Sequence, residues 1–303
     1  MRIAVVDIGS NSTRLLVADV EGDRVTELER RTTVTRLADG VDVTGRLGDE
    51  PIQRVERALS AYRTAIESHG ATVTIGVLTS AVRDAANGPE FMARVRDEYG
   101  IDARVLAGEE EARLTFLGAT AGRADTERIA VLDIGGGSTE VIADSGFHTS
   151  MQMGVVRFTE RHLRADPPPP EELQRLTDAV REVLAAELPQ DLDVATLLAV
   201  GGTATTAAAI AHELEPYDPV RVHGARVTAG ALEEMLARLA LMTEAERRHV
   251  PGLHPDRAPT ILAGITILLE CTRALRLDEI EVSEHDILWG AALNRARRRA
   301  DAG

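Results

Sequence analysis

Two segments of this chain repeat one another in register, and no other feature restricts its fold as much. Ile3-Ala-Val-Val-Asp-Ile-Gly-Ser-Asn-Ser-Thr-Arg-Leu-Leu-Val17 and Ile129-Ala-Val-Leu-Asp-Ile-Gly-Gly-Gly-Ser-Thr-Glu-Val-Ile-Ala143 share 8 of 15 residues at an offset of 126. In each, a β-branched run carries an aspartate into a turn of glycine, serine or asparagine, and a second apolar run follows. That pattern predicts strand, tight turn, strand. One such loop is what any hairpin can display, whereas two in register predict a duplicated domain. The 303 residues suit two domains of about 150 each. The polar stretch Gly122-Arg-Ala-Asp-Thr126 precedes the second copy, so the domains are expected at 1–123 and 124–303, with a terminal helix near 286–300 free to pack back on the first.

Between the copies the apolar period alternates. Helices are expected over 50–68, 81–97 and 109–121 and strands over 72–78 and 103–106, which makes the class α/β. Pro167 to Pro170 read as a stiff loop feeding a helix over 171–188. A third glycine turn, Gly201-Gly-Thr203, follows the apolar run from Leu197 and opens an alanine-rich helical stretch over 204–214. The terminal helix ends in Arg295, Arg297, Arg298 and Arg299, cations that suit the negative end of a helix dipole.

Composition removes whole classes of chemistry. All 34 basic residues are arginine, against 49 acids, for a net charge of −15. Without lysine there is no Walker A loop, no protein-kinase lysine and no Schiff base. The surplus of acid and the scarcity of aromatics (3%) argue against a nucleic-acid partner. Cys271 is the single cysteine, which excludes an intrachain disulfide, a multi-cysteine zinc site and an iron–sulfur cluster. Asp7 follows the N-terminal apolar residues too soon for a signal peptide, and the longest apolar run, Ile261 to Leu269, is far short of the ~20 residues of a membrane span. A cytoplasmic protein with no membrane partner is expected.

The second copy carries the clearest chemistry. Gly135, Gly136 and Gly137 bring bare N–H groups together and admit a phosphate closely, with Ser138 and Thr139 beside them. Asp133 and Glu140 flank that turn as hard oxygen donors for one Mg²⁺, with Mn²⁺ as the alternative. The first copy offers Asp7 as a further carboxylate and Ser10, Asn11, Ser12 and Thr13 as phosphate donors; Gly201 and Gly202 offer a third approach. Neither copy is Gly-x-Gly-x-x-Gly before a helix, so a dinucleotide site is disfavoured. Glu109, Glu110 and Glu111 point ~100° apart on one helix, and spacing leaves Glu110 and Glu111 equally placed as a base. His223 and His285 have no second histidine at ligand spacing and read as structural or hydrogen-bonding residues.

Together with Thr79-Ser-Ala-Val-Arg-Asp-Ala85, Gly108-Glu-Glu-Glu-Ala-Arg113, Gly201-Gly-Thr203, Arg221-Val-His-Gly224 and Val282-Ser-Glu-His285, the two Asp-x-Gly strings resemble the exopolyphosphatase and guanosine pentaphosphatase (Ppx/GppA) family through nearly the whole chain. The resemblance implies two domains of duplicated actin-like ATPase (ribonuclease H-like) topology around an interdomain cleft. It implies Mg²⁺-dependent release of terminal phosphate from inorganic polyphosphate or pppGpp. It implies that Glu111, directly before Ala-Arg, holds the attacking water, where the first helical turn favours its ionised form. Arg83 resembles the arginine that grips the terminal phosphate; Arg14 stands at a less uniformly occupied position and is left out of the catalytic set. Longer members carry a further C-terminal helical region that helps bind the polymer and form dimers, and this chain ends before it, so short polyphosphates are expected. A homodimer, common among relatives, is a further expectation. The expected activity is exopolyphosphatase. The alternatives are a pppGpp 5′-phosphohydrolase and a non-catalytic polyphosphate or (p)ppGpp sensor.

Overall fold

The computed structural model describes residues 1–300. In chain order the elements begin with β1 (Arg2–Ile8), β2 (Ser12–Glu21), β3 (Arg24–Val34), α1 (Val41–Thr44), α2 (Asp49–His69), β4 (Val73–Leu78), α3 (Ser80–Asp84), α4 (Gly88–Tyr99), β5 (Asp102–Val105) and α5 (Gly108–Ala119). Then come β6 (Ile129–Ile134), β7 (Thr139–Ala143), β8 (His148–Met151), α6 (Val155–His162), α7 (Pro170–Glu187), β9 (Thr196–Val200), α8 (Gly201–Ala211), α9 (Pro219–Val222), β10 (Arg226–Thr228), α10 (Ala229–Ala240) and α11 (Glu244–Arg247). A short 3₁₀ turn (Pro255–Arg257), α12 (Ile261–Ala274), β11 (Glu279–Val282) and α13 (Ile287–Ala300) complete the chain.

The described chain divides into two compact units, one of residues 1–124 with 285–300 and one of residues 125–284. The second compact unit thus ends at Glu284, and α13, the terminal helix expected near 286–300, clusters with the first. The sheet of the first unit runs β3-β2-β1-β4-β5, and that of the second runs β10-β11-β9-β6-β7-β8. Read from the other side without the edge strand β10, the second order is β8-β7-β6-β9-β11, the same path as the first. In both, an antiparallel meander of three strands is followed by two parallel ones. The duplication visible in 15 residues thus extends to each whole sheet.

Strand alternation explains why the first sheet has helices on both faces. Ala4, Val6 and Ile8 enter one core with Leu59 and Tyr62 of α2 and Phe91 of α4. Ile3 and Val5, one residue out of phase, enter another with Leu114 of α5 and Ile287, Leu288 and Leu293 of α13. Each large side chain so buried contributes about 1.5–3 kcal/mol of transfer free energy. Two glycines let α5 and α13 lie almost backbone to backbone: a Cβ on Gly290 would fall 1.8 Å from the Leu114 carbonyl oxygen, and one on Gly118 would fall 1.9 Å from that of Asp286. In the second unit β6 and β9 carry Leu132 and Ala199 into a core closed by α6, α7, α8, α10 and α12.

The helix expected over 81–97 is two helices. Ala85-Ala86-Asn87 interrupts it, and Pro89, which has no N–H to continue α3, stands in the first turn of α4, where none is required. The break has a use, since the Asn87 amide both accepts from Leu47 N (2.8 Å) and donates to Leu47 O (3.0 Å). The helix expected over 204–214 begins earlier, with Gly201 and Gly202 as its first turn. Among the described residues, no helix is long and apolar enough to cross a membrane.

Candidate active site

The β1–β2 turn closes with Gly9 N donating to Ser12 O (3.0 Å). The loop after β3 is laid against it: Thr35 N and Arg36 N donate to Asn11 O, and Ala38 N to Ser10 O. Ser10 shares a buried hydrogen bond with Ser80 at the start of α3 (2.8 Å), so the turn is tied to the segment that carries Arg83. Thr13, expected among the phosphate donors, is fully buried with its hydroxyl on Thr35 Oγ1 (3.0 Å), and Tyr62 donates to its carbonyl. Thr139, its counterpart in the second copy, is also fully buried and donates to Met153 O (2.6 Å). The geometry therefore makes the repeated threonine a core residue in both copies, because it stands at the start of a strand with its side chain facing inward.

The two copies differ where they matter most. Asp7 lies opposite Arg14 in the β1–β2 register, and Asp133 lies opposite Glu140 at the equivalent place in β6–β7. In the first copy the pair is a salt bridge: Arg14 Nε and a terminal nitrogen donate to Asp7 Oδ2 (2.8 and 2.6 Å), and Arg14 also pairs with Asp286 at the entry to α13. Burial pushes the Asp7 carboxyl above its usual range, Arg14 acts against this, and the neighbouring Asp286 adds to it. Asp7 Oδ1 is buried without a partner. Arg14, left out by the sequence reading, is thus the residue that occupies the Asp7 carboxylate expected for a metal.

In the second copy two carboxylates stand directly opposite each other. Like charges in that register repel unless a cation lies with them. Ser150, the cross-strand partner of Glu140 on β8, donates to Glu140 Oε1 (2.8 Å). The carbonyls of Gly135 and Gly136 are taken by Val155 N, Val156 N and Arg157 N at the start of α6. No backbone acceptor among the described residues takes the N–H groups of Gly136 and Gly137. Gly201 brings a third wall: a Cβ there would lie 2.8 Å from Asp133 Oδ1, and the residue has φ +77°. Beside it, a Cβ on Gly202 would overlap the Arg257 guanidinium at 1.6 Å, so Arg257 lies flat across the first turn of α8. No local pattern in the sequence marks Arg257, which follows a proline turn 55 residues beyond Gly202. Asp133 and Glu140, paired hard oxygen donors, suit a hard dication that keeps most of its waters; among the described residues no group of three or more acidic, histidine or cysteine side chains gathers as a metal site.

Glu110 and Glu111, inseparable by spacing, part in the fold. Glu110 accepts from Arg104 on β5 (2.5 Å) with Arg298 of α13 at 4.0 Å. Glu111 instead accepts from Arg83 (3.1 Å), and the same Arg83 nitrogen donates to Leu106 O (3.1 Å). Arg83 sits at the end of the short α3 and Glu111 in the first turn of α5, so β4 and β5 deliver the two helices side by side. Of the histidines, His223 accepts from Glu284 N (3.3 Å), and His285 stacks on Trp289 with ring centroids 3.6 Å apart.

A duplicated strand-turn-strand fold with an arginine–glutamate pair in one unit and a carboxylate pair beside bare amides in the other defines an enzyme of phosphate chemistry on the actin-like ATPase fold. The family model for the Ppx/GppA phosphatase family matches residues 15–290. "Exopolyphosphatase 2" of Mycobacterium tuberculosis strain H37Rv is 39% identical over 318 aligned positions, covering 97% of this chain and 98% of the relative. The crystal structure of the Aquifex aeolicus Ppx/GppA family member is 31% identical with a TM-score of 0.83, covering 99% of this chain and 98% of that one. That of an exopolyphosphatase-like protein is 32% identical with a TM-score of 0.90, covering 98% and 99%. The chain belongs to the Ppx/GppA phosphatase family, and it is a phosphoanhydride hydrolase.

Proposed function

We propose that this protein is an exopolyphosphatase that hydrolyses the terminal phosphate of inorganic polyphosphate, with short chains preferred, Mg²⁺ as its ion and a water held by Glu111. The observation that carries the reading is the Arg83–Glu111 contact at 3.1 Å. It sets a planar donor suited to phosphoryl oxygens against the carboxylate that would orient the nucleophile.

In this mechanism Arg83 binds two oxygens of the terminal phosphoryl group and Glu111 accepts a proton from the attacking water. The P–O bond to the bridging oxygen breaks, and the chain leaves shortened by one phosphate. The transition state is loose, with charge spread over the equatorial oxygens, so fixed donors provide most of the acceleration. The second unit carries fixed anion donors of its own in the N–H groups of Gly136 and Gly137 and the first turn of α8, and Arg257 adds to the residues expected from sequence. Asp133 and Glu140 would hold Mg²⁺, which would supply charge neutralisation for phosphate oxygens. Ser150 holds Glu140 in place for it.

The preference for short chains finds support in charge. Residues 125–284 contain 14 arginines and 27 acids, so 14 − 27 = −13, and a long polyanion lying over that unit is repelled. The test is phosphate release with Mg²⁺ from short polyphosphate, long polyphosphate and pppGpp, for the wild type and for Glu111→Gln. Release from short polyphosphate that falls at least ~100-fold in the variant is the expected result. Faster release from pppGpp would reassign the substrate. Tight binding without release would make the protein a sensor.

A further inference from the structure

A cavity lies within the second unit, between the last turns of α7 and α12, and the phosphatase mechanism does not use it. Its volume is about 490 Å³ and its walls include Arg181, Leu184, Leu188, Glu270, Arg273 and Arg276. Such a volume is within the range of small-ligand pockets.

The basic side of this pocket is built rather than incidental. Glu270 is 5% exposed and its carboxylate clamps two guanidinium groups: Arg181 donates to both oxygens (2.6 and 3.2 Å), and Arg273 donates to Oε1 (3.0 Å). Arg273 is held from the other side by Glu233 (2.9 Å). Both arginines keep further N–H donors while their planes are fixed.

Arg276 is different. Among the described residues its side chain has no hydrogen bond or ion pair, and its backbone is left-handed, with φ +57°. It stands just past the end of α12, where Arg276 N donates to Arg273 O and Leu277 N to Thr272 O. That closing turn favours glycine, which α1, α2 and α4 use in this chain, whereas α8 and α12 place Glu213 and Arg276 there. The helix dipole accounts for a cation such as Arg273 in the last turn of α12. It does not account for an arginine kept in a strained conformation beyond the helix with nothing to bind.

Most of the remaining wall is apolar: Ala185, Pro189 and Ala274 are exposed in it, and Leu184 and Leu188 are nearly buried. Guanidinium groups bind phosphate in a bidentate way and also stack on heterocyclic planes. A ligand matching both walls has an anionic phosphate and a flat, partly apolar body.

We propose that this cavity is a nucleoside-phosphate site, with Arg276 and Arg181 taking the phosphate and the apolar surface of Ala185, Pro189 and Ala274 taking the nucleoside. It stands apart from the phosphatase site and does not depend on the substrate assigned there.

The test is calorimetric titration of ADP, pyrophosphate and adenosine into the full chain and three variants. Arg276→Gly removes the guanidinium while suiting the left-handed backbone, and Ala185→Glu places a carboxylate in the pocket from an exposed position on α7. Arg83→Ala disables the phosphatase site. The expected result is one ADP per chain, with pyrophosphate and adenosine each weaker. ADP affinity falls about tenfold or more in Arg276→Gly and in Ala185→Glu, the loss of one charged hydrogen bond, and is kept in Arg83→Ala. Phosphate release from tripolyphosphate by Arg276→Gly stays at the wild-type rate, which verifies its fold. Absence of ADP binding at millimolar concentration overturns the proposal, as does binding that survives Arg276→Gly, or pyrophosphate bound as tightly as ADP.

Discussion

Replacing Gly290 by alanine tests the claim that α5 and α13 are held at backbone contact. In an ordinary exposed helix this change stabilises by about 1 kcal/mol, because alanine is the better helix former. Here the new Cβ would lie 1.8 Å from the Leu114 carbonyl oxygen, and reaching the 3.0 Å that real contacts respect takes a displacement of about 1.2 Å. The obstacle is backbone, so no side chain can rotate away. Moving α13 outward loosens its packing through Ile287, Leu288 and Leu293 against β1 and Leu114. Overpacking of this kind costs about 3 kcal/mol, which leaves a net loss of about 2 kcal/mol after the helix-propensity gain. In a unit of this size that lowers Tm by about 4–8 °C in differential scanning calorimetry. Gly230 in the first turn of α10 is the control, since a Cβ there meets only Thr228 Oγ1 at 3.9 Å. Gly230→Ala leaves Tm unchanged or raises it. A Gly290→Ala protein as stable as the wild type would refute the backbone contact.

Arg83→Ala lowers kcat/KM for polyphosphate by ~100-fold or more, the scale of one charged hydrogen bond lost in the transition state; an effect confined to KM would reduce Arg83 to a binding residue. Arg83→Lys recovers little of it, because an ammonium cannot replace the planar fork. Glu172 accepts from Arg164 N (2.8 Å) and Ala165 N (3.2 Å), and these bonds hold its carboxyl below the ordinary value of 4.5. The stabilisation is present above pH 4.5 and is lost as pH falls through the depressed folded-state value. Glu172→Gln therefore lowers Tm near neutrality, and the difference from wild type shrinks on acidification; a pH-independent difference would contradict this origin. Polyphosphate turnover falls as NaCl rises from low to moderate concentration, since binding a polyanion to a chain of net charge −15 relies on local positive potential. A flat response counts against that dependence.

Much of each unit's frame was legible along the chain, for a local reason. The turn between β1 and β2 is closed by hydrogen bonds a few residues apart, and glycine, serine and asparagine at that spacing suffice to specify it. The same holds for β6 and β7, and strand alternation made the two-sided burial of β1 readable as well. The break before Gly88-Pro89 was in the residues too, but the amphipathic period of the surrounding helix masked it. The edge strand β10 and the Arg257 turn carry no comparable signal, because their places depend on partners far along the chain.

The sequence by itself determined a duplicated α/β chain, a chemistry without lysine or multiple cysteines, and a set of carboxylates and glycine turns fit for phosphate. Which partner each carboxylate meets was decided by tertiary structure alone. Glu110 and Glu111 are chemically identical neighbours, yet one meets Arg104 and the other Arg83. Asp7 and Asp133 occupy the same place in their repeats, yet one is held by Arg14, itself paired with Asp286 across 272 residues, and the other stands against Glu140. A carboxylate's role is set by the charge placed beside it, and that neighbour arrives through packing rather than through adjacency in the chain.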